Sequence, residues 1–149
     1  MPIRRSQVIL RMPVDNVVAQ MIAHDGTKAD VMLFIPPTED IGQVLGHGAG
    51  FLPMVKGGKM CIVARDTIAC FGVPAIPVIP HEDDLPVEKQ AVTVTMRSGA
   101  TIEGELFLTG FGTERTTDFM NEAEVVFRVH GTATTFYVSK SHVAQVEEK

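Results

Sequence analysis

Glu103 and Glu105 stand two apart in residues 101–108 (TIEGELFL), a run that alternates as a β-strand does, so their carboxylates share one face. Two carboxylates so placed are the minimum for general acid–base work. No partner histidine accompanies them in the sequence, and a solvated strand face is the favoured reading. Arg115 and Asp118 lie three apart in a polar segment leading into Asn121. A pair that clamps its own loop is favoured there over a contact with a base or a partner, and Asn121 itself suits a turn. The histidines His24, His47, His81, His130 and His142 fall in or beside predicted turns and strand ends, without HxH or HxxxH spacing, so no metal site is expected. Cys61 and Cys70 share one apolar segment without CxxC spacing, the pattern of buried thiols in a reducing cytoplasm. There is no GxSxG for nucleophilic hydrolysis. Gly46, Gly48 and Gly50 resemble a phosphate cradle only superficially, because Phe51-Leu52-Pro53 follows where a long helix is required. These residues predict no catalytic group, no cofactor and no metal.

The elements that carry these residues come in two copies. Aligning Asp25-Gly26 with Ser98-Gly99 places Leu33-Phe34 on Leu106-Phe107; further on, Phe51 falls on Phe127 and residues 62–69 (IVARDTIA) on residues 137–144 (YVSKSHVA). Residues 17–23 and 28–35 are β-type runs joined through Asp25-Gly26, a hairpin signal. Residues 91–97 and 101–108 repeat that arrangement around Ser98-Gly99, and Gly104 marks a bend or a close backbone approach. Residues 38–50 predict one short helical turn capped by Thr38. A hairpin over Lys56-Gly57-Gly58-Lys59 leads into residues 60–72, which read as two short strands around a sharp turn at Arg65-Asp66. In the second copy, residues 109–118 read as a polar loop, 119–130 as a strand with a bulge and 136–146 as the closing segment. Only residues 121–124 invite a helix there. Residues 6–12 read as an opening strand flanked by Arg4, Arg5 and Arg11, too few arginines for a nucleic-acid arm to be preferred.

Length and composition agree with this division. For 149 residues the expected domains are 1–73, a first small β-barrel; 74–88, a Pro-rich acidic linker or strap with Glu82-Asp83-Asp84 and the apolar Ile76, Val78 and Ile79; and 89–149, a second small β-barrel. Domains of roughly 60 to 70 residues bury modest cores and lean on neighbours. With 45% hydrophobic residues and a mean hydropathy of +0.16, surplus apolar surface is expected to lie in an interface. The eight methionines read as adaptable core or interface filler. No apolar run approaches the ~20 residues that span a bilayer, so a soluble, cytoplasmic protein with no membrane contact is expected. Lys and Arg against Asp and Glu give +1 for residues 1–73 and −3 for residues 88–149, within a total of −5. That balance disfavours the phosphate backbone of RNA as a partner.

A turn with Gly99, then Gly104 on the next strand, Asp118-Phe119-Met120-Asn121, and a closing pair around a tight turn in residues 138–146: this order resembles the Sm and Sm-like domain, a five-stranded, strongly bent small barrel. The resemblance covers nearly all of the second half and reaches the first through the repeat. It implies an all-β fold of two tandem small five-stranded barrels, Sm-like or SH3-like, the latter sharing the strand order. It also implies single-stranded RNA held by Asp118, Asn121 and a basic residue of the last turn, where Lys140 stands. Departures accompany it: Ser139-Lys140-Ser141 and Ala64-Arg65-Asp66 lack the Arg-Gly of the family, and the segment from Gly104 to Asn121 is several residues longer than the family's spacing. The expected function is therefore a non-enzymatic protein-interaction or assembly module, working as a homo-oligomer or with a protein partner, with Arg115, Asp118, Asn121 and Lys140 as contact residues. The alternative is an Sm-like RNA binder; an enzyme with a site between the halves is a distant third.

Overall fold

Two turn sequences begin the two halves of the structure. In the first, Asp15–Ala23 (β1) and Lys28–Ile35 (β2) pair antiparallel from Asp15↔Ile35 to Ile22↔Lys28. The reversal needs positive φ, which Gly26 supplies at 88°, and Asp25 Oδ1 accepts from the Thr27 N–H at 2.9 Å. That bond holds the Asp25 carboxyl below its ordinary pKa. In the second, Glu88–Met96 (β6) and Thr101–Leu108 (β7) pair from Glu88↔Leu108 to Thr95↔Thr101, with Gly99 at φ 95° and Ser98 Oγ accepting from the Ala100 N–H at 3.3 Å. The computed structural model describes residues 14–48, 50–75, 88–108, 115–122 and 124–149. The expected opening strand at residues 6–12, most of the strap at 74–88 and the start of the 109–118 loop lie outside the described residues.

After β2 the chain forms a helix, Ile41–His47 (α1), then Phe51–Lys56 (β3) and Lys59–Ala64 (β4), a 3-10 turn at Arg65–Thr67, and Ile68–Pro74 (β5). After β7 come Thr116–Met120 (α2), Val126–His130 (β8), Thr134–Ser139 (β9), a 3-10 turn at Lys140–His142, and Val143–Glu148 (β10). Three local expectations are corrected. The cap of α1 is Asp40, not Thr38: Asp40 Oδ1 accepts from the Gln43 N–H at 2.8 Å and Gln43 Oε1 accepts from the Asp40 N–H at 2.8 Å, a closed capping box. Residues 119–130 are not one bulged strand, because 116–120 coil into α2 and only Val126 onward is extended; the helix stands ahead of 121–124, where none forms. Finally, Phe51 pairs with Ala64 as Val126 pairs with Ser139, so Leu52, and not Phe51, matches Phe127. A slip of one residue in a strand exchanges the two faces, which is why Leu52 and Phe127 are buried and Phe51 is 63% exposed.

The ten strands among the described residues join one antiparallel sheet in the order β10-β6-β7-β8-β9-β5-β1-β2-β3-β4. The fold is all-β, and the sheet is not closed. Strands of residues 14–75 follow the order 5, 1, 2, 3, 4 and those of 88–149 the matching order 10, 6, 7, 8, 9. The ladder between β5 and β9, from Cys70↔Val138 to Pro74↔Thr134, joins them. The strand β5 is buried on both faces because its side chains divide between two cores, with a register shift against β1 that interrupts the alternation between Cys70 and Ile68. Ile68, Phe71 and Val73 join Met21, Leu33 and Met54, whereas Ala69 and Cys70 join Val92, Leu106 and Val138. Gly104 lies under β8: a Cβ there would stand 2.8 Å from the His130 carbonyl oxygen and from Val129 Cγ1, so the strand centre needs glycine for close approach. Among the described residues no helix is long and apolar enough to cross a membrane.

Candidate functional site

The four residues singled out by the sequence gather at one short helix, α2. Asp118 Oδ2 accepts from the backbone N–H of Arg115 at 3.2 Å, closing the start of α2. The clamp is therefore between carboxylate and backbone. Asn121 ends the helix, its N–H donating to the Thr117 and Asp118 carbonyls at 3.1 and 3.2 Å. Lys140 reaches back to the same helix, its Nζ donating to the carbonyls of Phe119 at 3.3 Å and Glu122 at 3.1 Å. A cation suits the carbonyl end of a helix. Arg65 repeats the arrangement on α1, with Nη1 donating to the Leu45 and Gly46 carbonyls at 3.3 and 3.0 Å. The backbone N–H groups that follow β4 and β9 match as well: Arg65 donates to Gly50 at 2.8 Å and Lys140 to Val125 at 2.9 Å. Both basic residues thus staple a short helix to the turn that follows the fourth strand of their half.

The structure does bring together groups that the sequence left apart. Glu105 stands opposite His130 in the ladder between β7 and β8, and the His130 ring stacks on Phe107 with centroids 3.8 Å apart and planes inclined by 8°. From β6, Lys89 Nζ lies 5.4 Å from the Phe107 centroid. Burial lowers the His130 pKa, the Arg128 and Lys89 charges lower it further, and Glu105 opposes them. The imidazole is therefore neutral at pH 7. It lines a cleft of about 400 Å³ between α1 and the β8–β9 pair, with Gln43, His47, Phe107, Arg128 and Tyr137 also on the walls. The Asp40 carboxylate at its rim is engaged by the α1 cap. Among the described residues no serine, threonine or cysteine lines the cleft beside the histidines, and no group of three or more His, Cys, Asp or Glu could hold a metal ion. Glu103 faces Lys149, which donates to Oε1 at 2.8 Å and lowers the carboxyl's pKa, so the two strand glutamates do not act as a pair. Burial pushes the Cys70 thiol up to about 12 and leaves it unreactive.

The two ends of the sheet are the other conspicuous surfaces. Strand β4 pairs with β3 alone and β10 with β6 alone among the described residues. On β4 the outward side chains Met60 and Ile62 are 59% and 63% exposed, and they continue across β3 to Phe51, which is 63% exposed. Lys56 and Lys59 frame the hairpin end of this patch, while β10 presents exposed Glu147 and Glu148. An apolar, unpaired strand edge invites another strand.

The chain matches no family model, no curated protein and no solved structure at a significant level. Sequence reasoning missed the exposed patch because Met60 and Ile62 sit in a run that reads as core throughout, and periodicity does not reveal which strand ends a sheet. It missed the pairing of Glu105 with His130 because strand partners 25 residues apart leave no local trace.

Proposed function

We propose that the protein is a non-enzymatic assembly module made of two small Sm-like or SH3-like barrel units in tandem. The observation that carries this reading is the pair of open sheet edges, with Met60, Ile62 and Phe51 exposed along one of them. A strand that adds to such an edge gains main-chain hydrogen bonds along its length and covers the apolar side chains beside it. The matching strand orders of the two halves, and the matching staples at Arg65 and Lys140, support the tandem reading. The RNA alternative is weakened because the Lys140 amine is directed at two carbonyls and the second half is net acidic.

Amide hydrogen exchange tests the reading. Amides of β4 and β10 that face away from the sheet exchange rapidly in an isolated chain and slowly in an assembly. The expected result is protection at these edges in the full-length protein, alone at high concentration or with a protein partner, and its loss on replacing Ile62 by Lys. Uniformly fast exchange at both edges under all these conditions would refute an assembly role. Oligouridine titration at low salt is expected to show no binding; salt-dependent binding that is lost in Lys140→Met would favour RNA instead.

A further inference from the structure

We infer that the cleft between α1 and the β8–β9 pair is a binding site for a small aryl carboxylate, a single-ring monoanion held by Arg128 and Tyr137 with its ring against the Phe107–His130 stack. This goes beyond the assembly reading above and does not rest on it, because every wall of the cleft belongs to one chain. The two faces of β8 and β9 differ in what they present. Phe127, Val129 and Val138 are buried in the second core. Arg128 and His130 lie on the opposite face, since side chains alternate along a strand, and Tyr137 stands directly opposite Arg128 in the ladder. From the neighbouring strand, Phe107 stacks its ring on His130 with centroids 3.8 Å apart.

The roof of the cleft is α1, and two glycines set its height. Gly42 and Gly46 are four residues apart, hence on one side of the helix. A Cβ on Gly46 would meet Val125 Cγ2 at 2.9 Å and Val126 Cγ2 at 3.1 Å, and one on Gly42 would meet Tyr137 Cδ1 at 3.5 Å. The helix therefore rests on the strand pair at these points and leaves about 400 Å³ open beside them, lined by Arg128 and His130. That volume falls at the lower end of the roughly 300–1,000 Å³ of small-molecule pockets.

The lining selects the ligand. Phe107, Phe119, Tyr137 and His130 offer flat rings, which favours a planar ligand over an aliphatic chain. Among the described residues the Arg128 guanidinium, the Tyr137 hydroxyl and the Gln43 amide NH2 have no hydrogen-bond or ion-pair partner. All three donate, and a guanidinium matches both oxygens of a carboxylate with parallel N–H bonds. Two carboxylates, Asp40 and Glu124, also line the cleft. The first is engaged by the Gln43 N–H at 2.8 Å, and the second forms no ion pair with Arg128. One free guanidinium beside two carboxylates suits a single negative charge better than a phosphate dianion.

The chain has one tyrosine and no tryptophan, so its intrinsic emission reports on Tyr137 alone. Adding benzoate to the full-length protein is expected to change that emission saturably. In amide NMR spectra it should shift resonances of α1 and of β7 to β9 and leave β4 unmoved. Calorimetric titration should show binding weakened about tenfold or more in Arg128→Met and about twofold to tenfold in Tyr137→Phe, for loss of a charged pair and of one hydrogen bond. Glu124→Gln should tighten binding about twofold by removing a like charge, and Lys56→Met, at the β3–β4 hairpin, should leave it unchanged. Arg128 is exposed, so its replacement leaves the fold intact, and the NMR map tests the site without any substitution. Acetate keeps only the charge and benzyl alcohol only the ring, and each should bind roughly tenfold more weakly than benzoate. Absence of saturable benzoate binding at millimolar concentration, unchanged affinity in Arg128→Met, or equal affinity for acetate or benzyl alcohol would overturn the proposal. Tighter binding of uridine monophosphate than of benzoate would also overturn it, by assigning the cleft to nucleotides.

Discussion

Strands β9 and β4 carry out the same task in the two halves, and they end in opposite circumstances. Both have six residues and precede a 3-10 turn anchored by a basic side chain, Lys140 in one case and Arg65 in the other. Yet Tyr137 on β9 is half-buried beneath β5 and α1, while Ile62 on β4 is 63% exposed. The difference arises from position in the sheet, not from composition. The chain supplies a covering strand and helix on one side of each half, and only the inner of the two fourth strands receives them. The same asymmetry distinguishes β5, buried on both faces, from β10, whose Glu147 and Glu148 face solvent. Cohesion within the halves differs as well: β2 and β3 share three paired positions, β7 and β8 one.

The largest expected effect comes from breaking the covered joint. Phe71 is fully buried, and it lies opposite Tyr137 at the centre of the ladder that unites the halves. Phe71→Ala should cost about 3–5 kcal/mol in urea unfolding, with the cavity adding to the lost apolar transfer. Ile62→Ala, at the bare-edge counterpart of Tyr137, should change unfolding of the dilute chain by no more than about 0.5 kcal/mol. Equal losses from the two substitutions would mean that β4 is already covered, and the contrast between the strands would collapse.

The weak β7–β8 contact offers the next test. Gly104 allows β8 to cross closely, so Gly104→Val forces the His130 carbonyl and Val129 aside. A destabilisation of about 1–3 kcal/mol is expected from overpacking. At the same position of β2 the chain carries Val31, buried in the first core and paired with Lys56 of β3 in a regular ladder. Calorimetry of Gly104→Val beside Val31→Gly, the two halves exchanging residues at one position, would show which half is the more sensitive. The staples provide a smaller contrast. Arg65→Met and Lys140→Met each remove two hydrogen bonds to helix-end carbonyls, and each should cost about 1–2 kcal/mol. Of the two, Arg65 should matter more, because α1 buries Ile41 and Leu45 and also packs across β8 and β9, whereas α2 is a single turn with no fully buried residue. A larger loss at Lys140 would reverse that ranking.

Much of this architecture was legible in the residues. Asp25-Gly26, Gly57-Gly58 and Ser98-Gly99 locate three hairpins, since positive φ at a tight turn leaves few alternatives to glycine. The correspondence of residues 62–69 with 137–144 anticipates two strand–turn–strand units that agree in length. What was not legible was how the halves meet. Residues 68–73 are apolar without interruption, which marks a strand buried on both faces but not the second core that one face enters. The roles of Arg65 and Lys140 were hidden for a similar reason: a carbonyl at a helix end carries no side-chain signature, so a staple and a ligand contact look alike in one dimension. The α2 helix escaped because Thr116–Met120 makes a single turn, too short for any periodicity to register.

The smallest effect concerns His130, which sits where the weakly joined β7 and β8 meet. Burial and the Arg128 charge hold its pKa below the ordinary 6.5, so the folded ring resists protonation more than the unfolded one does. As pH falls through 6.5 the unfolded chain takes up the proton first, and stability declines. The decline continues until the folded ring also titrates, and below that pH it levels off; above 6.5 the group contributes no slope. The ring is half exposed, so solvent screens part of this effect and the slope is shallow. Urea unfolding midpoints measured from about pH 8 to about pH 5 should show it, and His130→Gln should flatten it. A profile that His130→Gln leaves unchanged would place the pH dependence away from the seam under β8.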